Sequence, residues 1–312
     1  MELLYIGLGI VVFLAVAVLI ISYICFRMAF YVKDRDKIPK EEYPIPKGKI
    51  YEPYRDKMVG WMKEVRTMPC EEFQIRSFDG LKLRGKYYEY APGAIIEIMF
   101  HGYRGSAERD LCGGVQRCFK LGHSALIVDQ RCAGKSDGNV ITFGINESRD
   151  CLDWMHFAIE HFGPNCRLML TGISMGASTV MIAAGEELPG NVIGVLADCG
   201  FTSAKAIIKK VIKQIGLPPA LAYPFVKLGA KIYGHFDLEK TSALEAMSKC
   251  KVPVIFFHGE TDDFVPCDMS RENFAACTGK KKLVTVPDAG HGLSILLDPE
   301  GYRGAMREFF GD

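Results

Sequence analysis

The pentapeptide Gly172-Ile173-Ser174-Met175-Gly176 lies between an apolar run of β type, residues 167–171, and a small-residue run that reads as a helix. A chain that passes from strand to helix in so few residues must turn sharply. The serine then sits at an apex where its neighbours' Cβ atoms would collide, and glycines on both sides remove those atoms. The same turn exposes the Ser174 hydroxyl at the edge of a sheet, the setting of a nucleophile. The pattern also occurs as a plain Gly-rich turn, so the assignment of Ser174 rests on three further segments.

The first is His101-Gly102-Tyr103-Arg104-Gly105-Ser106, directly after the apolar run 94–100. A tetrahedral intermediate of acyl transfer carries charge on the former carbonyl oxygen, and two preorganised backbone N–H groups stabilise it. Loss of one such donor costs about 10²–10³ in kcat. The amides of Tyr103 and Met175 are assigned to this oxyanion hole, and His101 is read as a brace for the loop. The second segment is the β-type run 252–257 with His258-Gly259-Glu260-Thr261-Asp262-Asp263-Phe264-Val265-Pro266 after it. A triad acid is needed past such a strand to hold the imidazole tautomer and to stabilise the imidazolium. Asp262 is favoured, with Asp263 and then Asp198, at the end of the run 192–197, left as alternatives. His258 stands four residues from Asp262, but no cluster of further ligands makes this a metal site. The third segment is Val284-Thr285-Val286-Pro287-Asp288-Ala289-Gly290-His291-Gly292, which places His291 as general base. The histidines at 123, 156, 161 and 235 have no such context and read as solvated or structural.

Together HGYRGS, DQRCAGKSDG, GISMG, HGETDDFVP and AGHG resemble the α/β-hydrolase superfamily. The resemblance covers about residues 71–312 and is closer to bacterial membrane-anchored hydrolases described as esterases, lipases or prolyl-oligopeptidase-like peptidases. The chain order Ser174, Asp262, His291 is the order of that superfamily. The turn Asp129-Gln130-Arg131-Cys132-Ala133-Gly134-Lys135-Ser136 corresponds to a D-x-R-G-x-G-x-S turn, with Cys132 where glycine is usual, a departure that bears on the conformation of the loop.

With 312 residues, 49% hydrophobic content and a formal net charge of +1, the chain can bury one large core and has no charge excess for nucleic acid. Eleven cysteines, without C-x-x-C pairs, fit reduced thiols rather than a disulfide framework or a metal site. Residues 3–26 are almost unbroken apolar sequence, enough to cross about 30 Å of hydrocarbon as a helix. Glu2 is the only charge before it and Tyr23-Ile24-Cys25-Phe26 is a poor cleavage end, so the segment is read as a retained anchor and not a removed signal. Arg27, Lys33, Arg35, Lys37 and Lys40 follow the span while no Lys or Arg precedes it, which places the rest of the chain in the cytoplasm by the positive-inside rule.

Residues 1–30 are therefore expected to be the anchor, 31–70 a connector interrupted by Pro39, Pro44, Pro46 and Pro53, and 71–312 one catalytic domain. Deletion of residues 1–30 is expected to leave the site intact. Strands at 73–77, 82–90, 94–100, 124–128, 167–171, 192–197, 252–257 and 282–286 alternate, after an antiparallel hairpin, with helices at 108–121, 147–162, 175–187, 269–277 and 296–310. This predicts an α/β-hydrolase fold, a mostly parallel eight-stranded sheet flanked by helices. Residues 201–250 are too long for a crossover and read as a helical lid, with Ile208, Val211, Ile212 and Ile215 on one face of its first helix. The expected function is hydrolysis of a small-molecule acyl ester through an acyl-enzyme on Ser174, with the bilayer as a partner of the first helix. It needs no metal or organic cofactor. An amidase, peptidase or acyltransferase would use the same triad, and a non-catalytic scaffold is the alternative of a different class.

Overall fold

Strands covered on both faces have no polar side to show, and in the computed structural model, which describes residues 1–311, this is how the centre of the sheet is built. The chain begins with α1 (Glu2–Ala29), a single turn α2 (Asp34–Lys37), a 3₁₀ turn and α3 (Arg55–Thr67). The strands β1 (Glu71–Arg76) and β2 (Lys82–Tyr88) come next, followed by β3 (Ile96–Phe100), α4 (Ala107–Leu121), β4 (Ser124–Asp129), α5 (Glu147–Phe162), β5 (Leu168–Ile173) and α6 (Met175–Ala183). Then come β6 (Val192–Asp198), α7 (Ala204–Gln214), α8 (Pro219–Tyr233), α9 (Ala243–Met247), β7 (Val254–Gly259), α10 (Cys267–Ala276), β8 (Lys281–Val286), α11 (Ser294–Leu297) and α12 (Pro299–Phe310). The eight strands lie in the order β1-β2-β4-β3-β5-β6-β7-β8. β2 is antiparallel to both of its neighbours, and every other pairing is parallel. This is the eight-stranded, mostly parallel sheet that the alternation of patterns predicts.

Helices cover both faces, α5, α6, α9 and α10 on one side and α3, α4 and α12 on the other. All five residues of β3 are buried, with Ile96, Ile98 and Phe100 facing the first group and Met99 the second. Ends are set locally. Ser106 accepts from the Arg109 amide to cap α4, and Gly122 closes that helix at φ 76°. The single helix expected over 296–310 is two, because Asp298 leaves helical geometry and caps α12 by accepting from the Gly301 amide, with Pro299 at the first position.

The insertion after β6 divides in two. Ile207, Ile208 and Ile212 of α7 and Tyr223, Val226 and Ala230 of α8 share a core with Met175 and Phe201, whereas Ala243 and Met247 of α9 belong to the main core beside α6. The covering part is thus α7 and α8.

Among the described residues one helix, α1, is long and apolar enough to cross a membrane. Its residues are not equivalent. Ser22, Phe26 and Phe30 are buried and Cys25 and Ala29 half-buried, a stripe at spacings of three and four on the side that packs on α8, while residues 3–16 are exposed. Gly229 permits the contact: a Cβ there would lie 2.4 Å from the Ser22 carbonyl oxygen. Tyr233 Oη donates to the Leu19 carbonyl oxygen at 3.1 Å. The chain leaving the helix is then stitched to residues 139–141, through Ile141 N to Phe30 O and Val32 N to Asn139 O, both 2.9 Å, around a bridge between Tyr31 and Val140. The boundary expected at residue 30 falls inside packed structure: Cys25, Phe26, Ala29 and Phe30 belong to a core that also holds Met175.

Candidate active site

Three strands that end at the same edge of the sheet deliver three side chains to one point. Ser174 follows β5 with φ 56° and ψ −117°, a conformation costly for a residue with a Cβ, held by its amide N–H, which donates a hydrogen bond to the Asp198 carbonyl oxygen at 2.8 Å. Its flanks leave no room: a Cβ on Gly172 would stand 2.1 Å from Gly176 O, and one on Gly176 would stand 2.0 Å from Phe100 O. His291 comes from the loop after β8 and Asp262 from the loop after β7. His291 Nε2 lies 2.9 Å from Ser174 Oγ, and its Nδ1 lies 2.7 Å from Asp262 Oδ2.

The other oxygen of Asp262 accepts from the amides of Phe264 and Val265 at 2.9 and 2.8 Å. Burial opposes ionisation of this carboxyl, but the hydrogen bonds from His258 and His291 and from the Val265 amide outweigh it and hold it below the ordinary carboxylate range. The two alternative carboxylates are placed elsewhere. Asp198 accepts from Tyr302 Oη at 3.0 Å, and burial pushes its carboxyl up. Asp263 is exposed and meets α7 through its backbone carbonyl, which Lys210 Nζ and Gln214 Nε2 bond.

The loop after β3 lies against the serine, with the Gly102 Cα side close to Ser174 Cβ. His101 is buried with both ring nitrogens in use: Nε2 accepts from the Gln130 amide at 3.1 Å and Nδ1 donates to Gly102 O at 2.8 Å. It braces the loop. Asp110 Oδ2 accepts from the Gly102 amide at 3.1 Å and holds the other side. Among the described residues neither the Tyr103 nor the Met175 amide has an intramolecular acceptor, so both remain free to donate. Cys132 takes φ 69°, the left-handed conformation that explains why glycine is usual there; its buried side chain packs beside Phe143 and Val32 in the core under α7 and α8.

Some neighbours of the site carry little signal in the sequence. His258 Nε2 stands 3.3 Å from Asp262 Oδ2 and 2.8 Å from Val265 O, while its Nδ1 pairs with Ser270 Oγ at 2.6 Å. Its position at a strand end was legible, but its role as a brace for the acid needed the fold of the following loop. Tyr51, from the segment before α3, donates to His291 O at 3.0 Å, and the Phe264 ring meets the His291 ring edge-on at 5.0 Å between centroids. Ser174 and His291 line a cavity of about 1030 Å³ whose walls include Ile38, Ile50, Phe264 and, just past α1, Val32. Residues 36–41 and 44–51 are thus a wall of the cleft as well as part of a connection.

The donor atoms of Cys199, Asp262 and His291 lie within 4.8 Å of one another, close enough to hold an ion. Asp262 and His291 are committed to each other, and burial pushes the Cys199 thiol up, away from the thiolate that a metal requires. The arrangement suits proton transfer from Ser174 better than ligation.

No family model matches the chain. It is 25% identical over 190 residues to the Bacillus subtilis protein YqkD, 61% of this chain, and spans only 62% of that relative's length. Protein bem46 of Schizosaccharomyces pombe is 27% identical over 260 residues, which cover 79% of this chain and 78% of the relative. Among solved structures, the Pyrococcus furiosus esterase Pf2001 superposes with a TM-score of 0.65 at 22% identity, covering 85% of this chain and 95% of the other.

Proposed function

The chain has the α/β-hydrolase fold, and on that premise we propose that it is a serine hydrolase that cleaves carboxylic esters through an acyl-enzyme on Ser174. The observation that carries this reading is the continuous hydrogen-bonded line from Ser174 Oγ through His291 to Asp262. As Oγ attacks the ester carbonyl, His291 Nε2 takes its proton, and Asp262 stabilises the imidazolium while holding Nδ1–H in place. The negative oxygen that forms is held by the amides of Tyr103 and Met175. His291 returns the proton to the departing alcohol. A water molecule then repeats the attack on the acyl-enzyme, with the same histidine as base, and releases the acid.

The first helix is read as a membrane span over residues 3–21, whose 19 residues reach about 29 Å at 1.5 Å per residue, close to the hydrocarbon thickness. The positive flank after it supports a cytoplasmic catalytic domain. A cleft that reaches from Ser174 to Val32, beside the end of this helix, suits an acyl ester of moderate hydrophobicity. Fluorophosphonate labelling of the wild-type chain and of Ser174→Ala, with turnover of matched p-nitrophenyl esters and p-nitroanilides, tests the proposal. Labelling that persists in Ser174→Ala would sink it, and faster anilide turnover would turn it into a peptidase or amidase.

A further inference from the structure

A helix leaves its last four carbonyl groups without intrahelical partners, and something else must satisfy them if they are not in water. For α1 these belong to residues 26–29. Phe26 O accepts from the amides of Phe30 and Tyr31, at 2.9 and 3.2 Å. Two of the remaining three are met by the loop that carries a proposed oxyanion donor. Tyr103 Oη donates to Ala29 O at 2.8 Å, and Arg104 Nη2 donates to Met28 O at 3.0 Å and to Tyr31 O at 3.1 Å. Burial pushes the Tyr103 phenol up, so it stays a donor. Arg104 holds φ 51°, an unfavourable value for a residue with a Cβ, and these bonds oppose its relaxation. A second link is apolar. The Tyr103 ring lies 5.1 Å from that of Phe143, which meets Phe30 edge-on at 5.7 Å.

We propose that Tyr103 and Arg104 are positioning residues whose side chains fasten the oxyanion loop to the end of the first helix, so that the seat of that helix sets the aim of the Tyr103 amide. The inference rests on the serine-hydrolase reading above. It assigns work to side chains in a loop where the chemistry itself asks only for an amide. The amide donates to charge that develops in the transition state, so a misplaced loop costs kcat and leaves KM nearly alone. A purely structural contact would instead show in thermal stability, with kcat preserved in the folded fraction.

The helix side can be perturbed away from the cleft. Gly229 does not line the cavity, and a methyl group there collides with Ser22 O and approaches Phe26, which displaces α1 on α8. The experiment uses the full chain in phosphatidylcholine vesicles with p-nitrophenyl acetate, a water-soluble ester that needs no membrane delivery. Tyr103→Phe keeps the ring and the amide and loses only the bond to Ala29. It is expected to lower kcat about three- to tenfold, the worth of one hydrogen bond, with KM and Tm little changed. Arg104→Ala should behave alike, and Arg104→Lys should recover part of the loss. Gly229→Ala should lower kcat, and Tyr103→Phe added to it should cost little more, because the bond is already broken. Wild-type kcat in both Tyr103→Phe and Arg104→Ala, or losses that multiply in the Gly229→Ala background, would overturn the inference. If Gly229→Ala does not fold, the kcat of Tyr103→Phe decides alone. A wild-type chain that neither hydrolyses the ester nor takes the fluorophosphonate overturns the serine-hydrolase reading instead.

Discussion

Asp262 and Asp263 are adjacent carboxylates with different surroundings, and the difference comes from the backbone. Asp262 turns inward and is held by two amides and two imidazoles, whereas Asp263 is exposed. The sequence shows that an acid follows this strand, but which of two neighbours faces His291 depends on the loop torsions, which no pattern of residue types encodes. Asp262→Asn is expected to cut kcat by up to about 10⁴, since the amide favours the wrong imidazole tautomer, and Asp263→Asn to have little effect; steady-state kinetics of the two variants decides. Ser174→Ala and His291→Ala should each remove about 10⁴–10⁶ of kcat and little more together, because the line acts as a unit. The depressed Asp262 carboxyl also gives a sign for stability. A folded value below the unfolded one, about 3.9, stabilises the fold above that pH, and the contribution is lost as the pH falls through the folded value. Urea unfolding of wild type and Asp262→Asn at pH 7, 5, 4 and 3 should show the wild-type advantage constant down to about pH 5 and shrinking below pH 4.

Among the elements, those whose two faces differ in polarity, or which end in a chemically distinctive turn, were legible from residue order. The strands before Ser174, Asp262 and His291 were of this kind. The first helix was not. Its sequence is apolar all round, so the stripe of Ser22, Cys25, Phe26, Ala29 and Phe30 has no polar face to reveal its phase, and phenylalanine suits lipid and core alike. Only the contact with α8 separates the two uses. Truncation reads this out. Removal of residues 1–20 should leave a folded domain with its core intact. Removal of residues 1–30 also strips Phe26 and Phe30 and should lower Tm and expose apolar surface, with a shift measured by calorimetry and dye binding. Phe30→Ala in the full chain should cost about 3–5 kcal/mol in urea unfolding, the range for a fully buried phenylalanine.

At the scale of the whole molecule, the sheet edge, the loop after β3 and the segment just past α1 border one cleft. If the proposed cytoplasmic orientation holds, protease added to intact cells should leave residues 71–312 undigested. Digestion without lysis would place the domain outside. The junction at residues 30–32 has a consequence for how such a protein meets its substrate. Because Ile141 N donates to Phe30 O and Val32 N donates to Asn139 O immediately past the helix, the chain leaving the helix is pinned to the domain without a slack linker. A tethered enzyme on a slack linker sweeps out a hemisphere and can touch objects some distance above the bilayer. On the proposed membrane-span reading this one is a bracket: its cleft would be carried at a constant height and tilt, its search would be two-dimensional, and its substrate would have to come to that level.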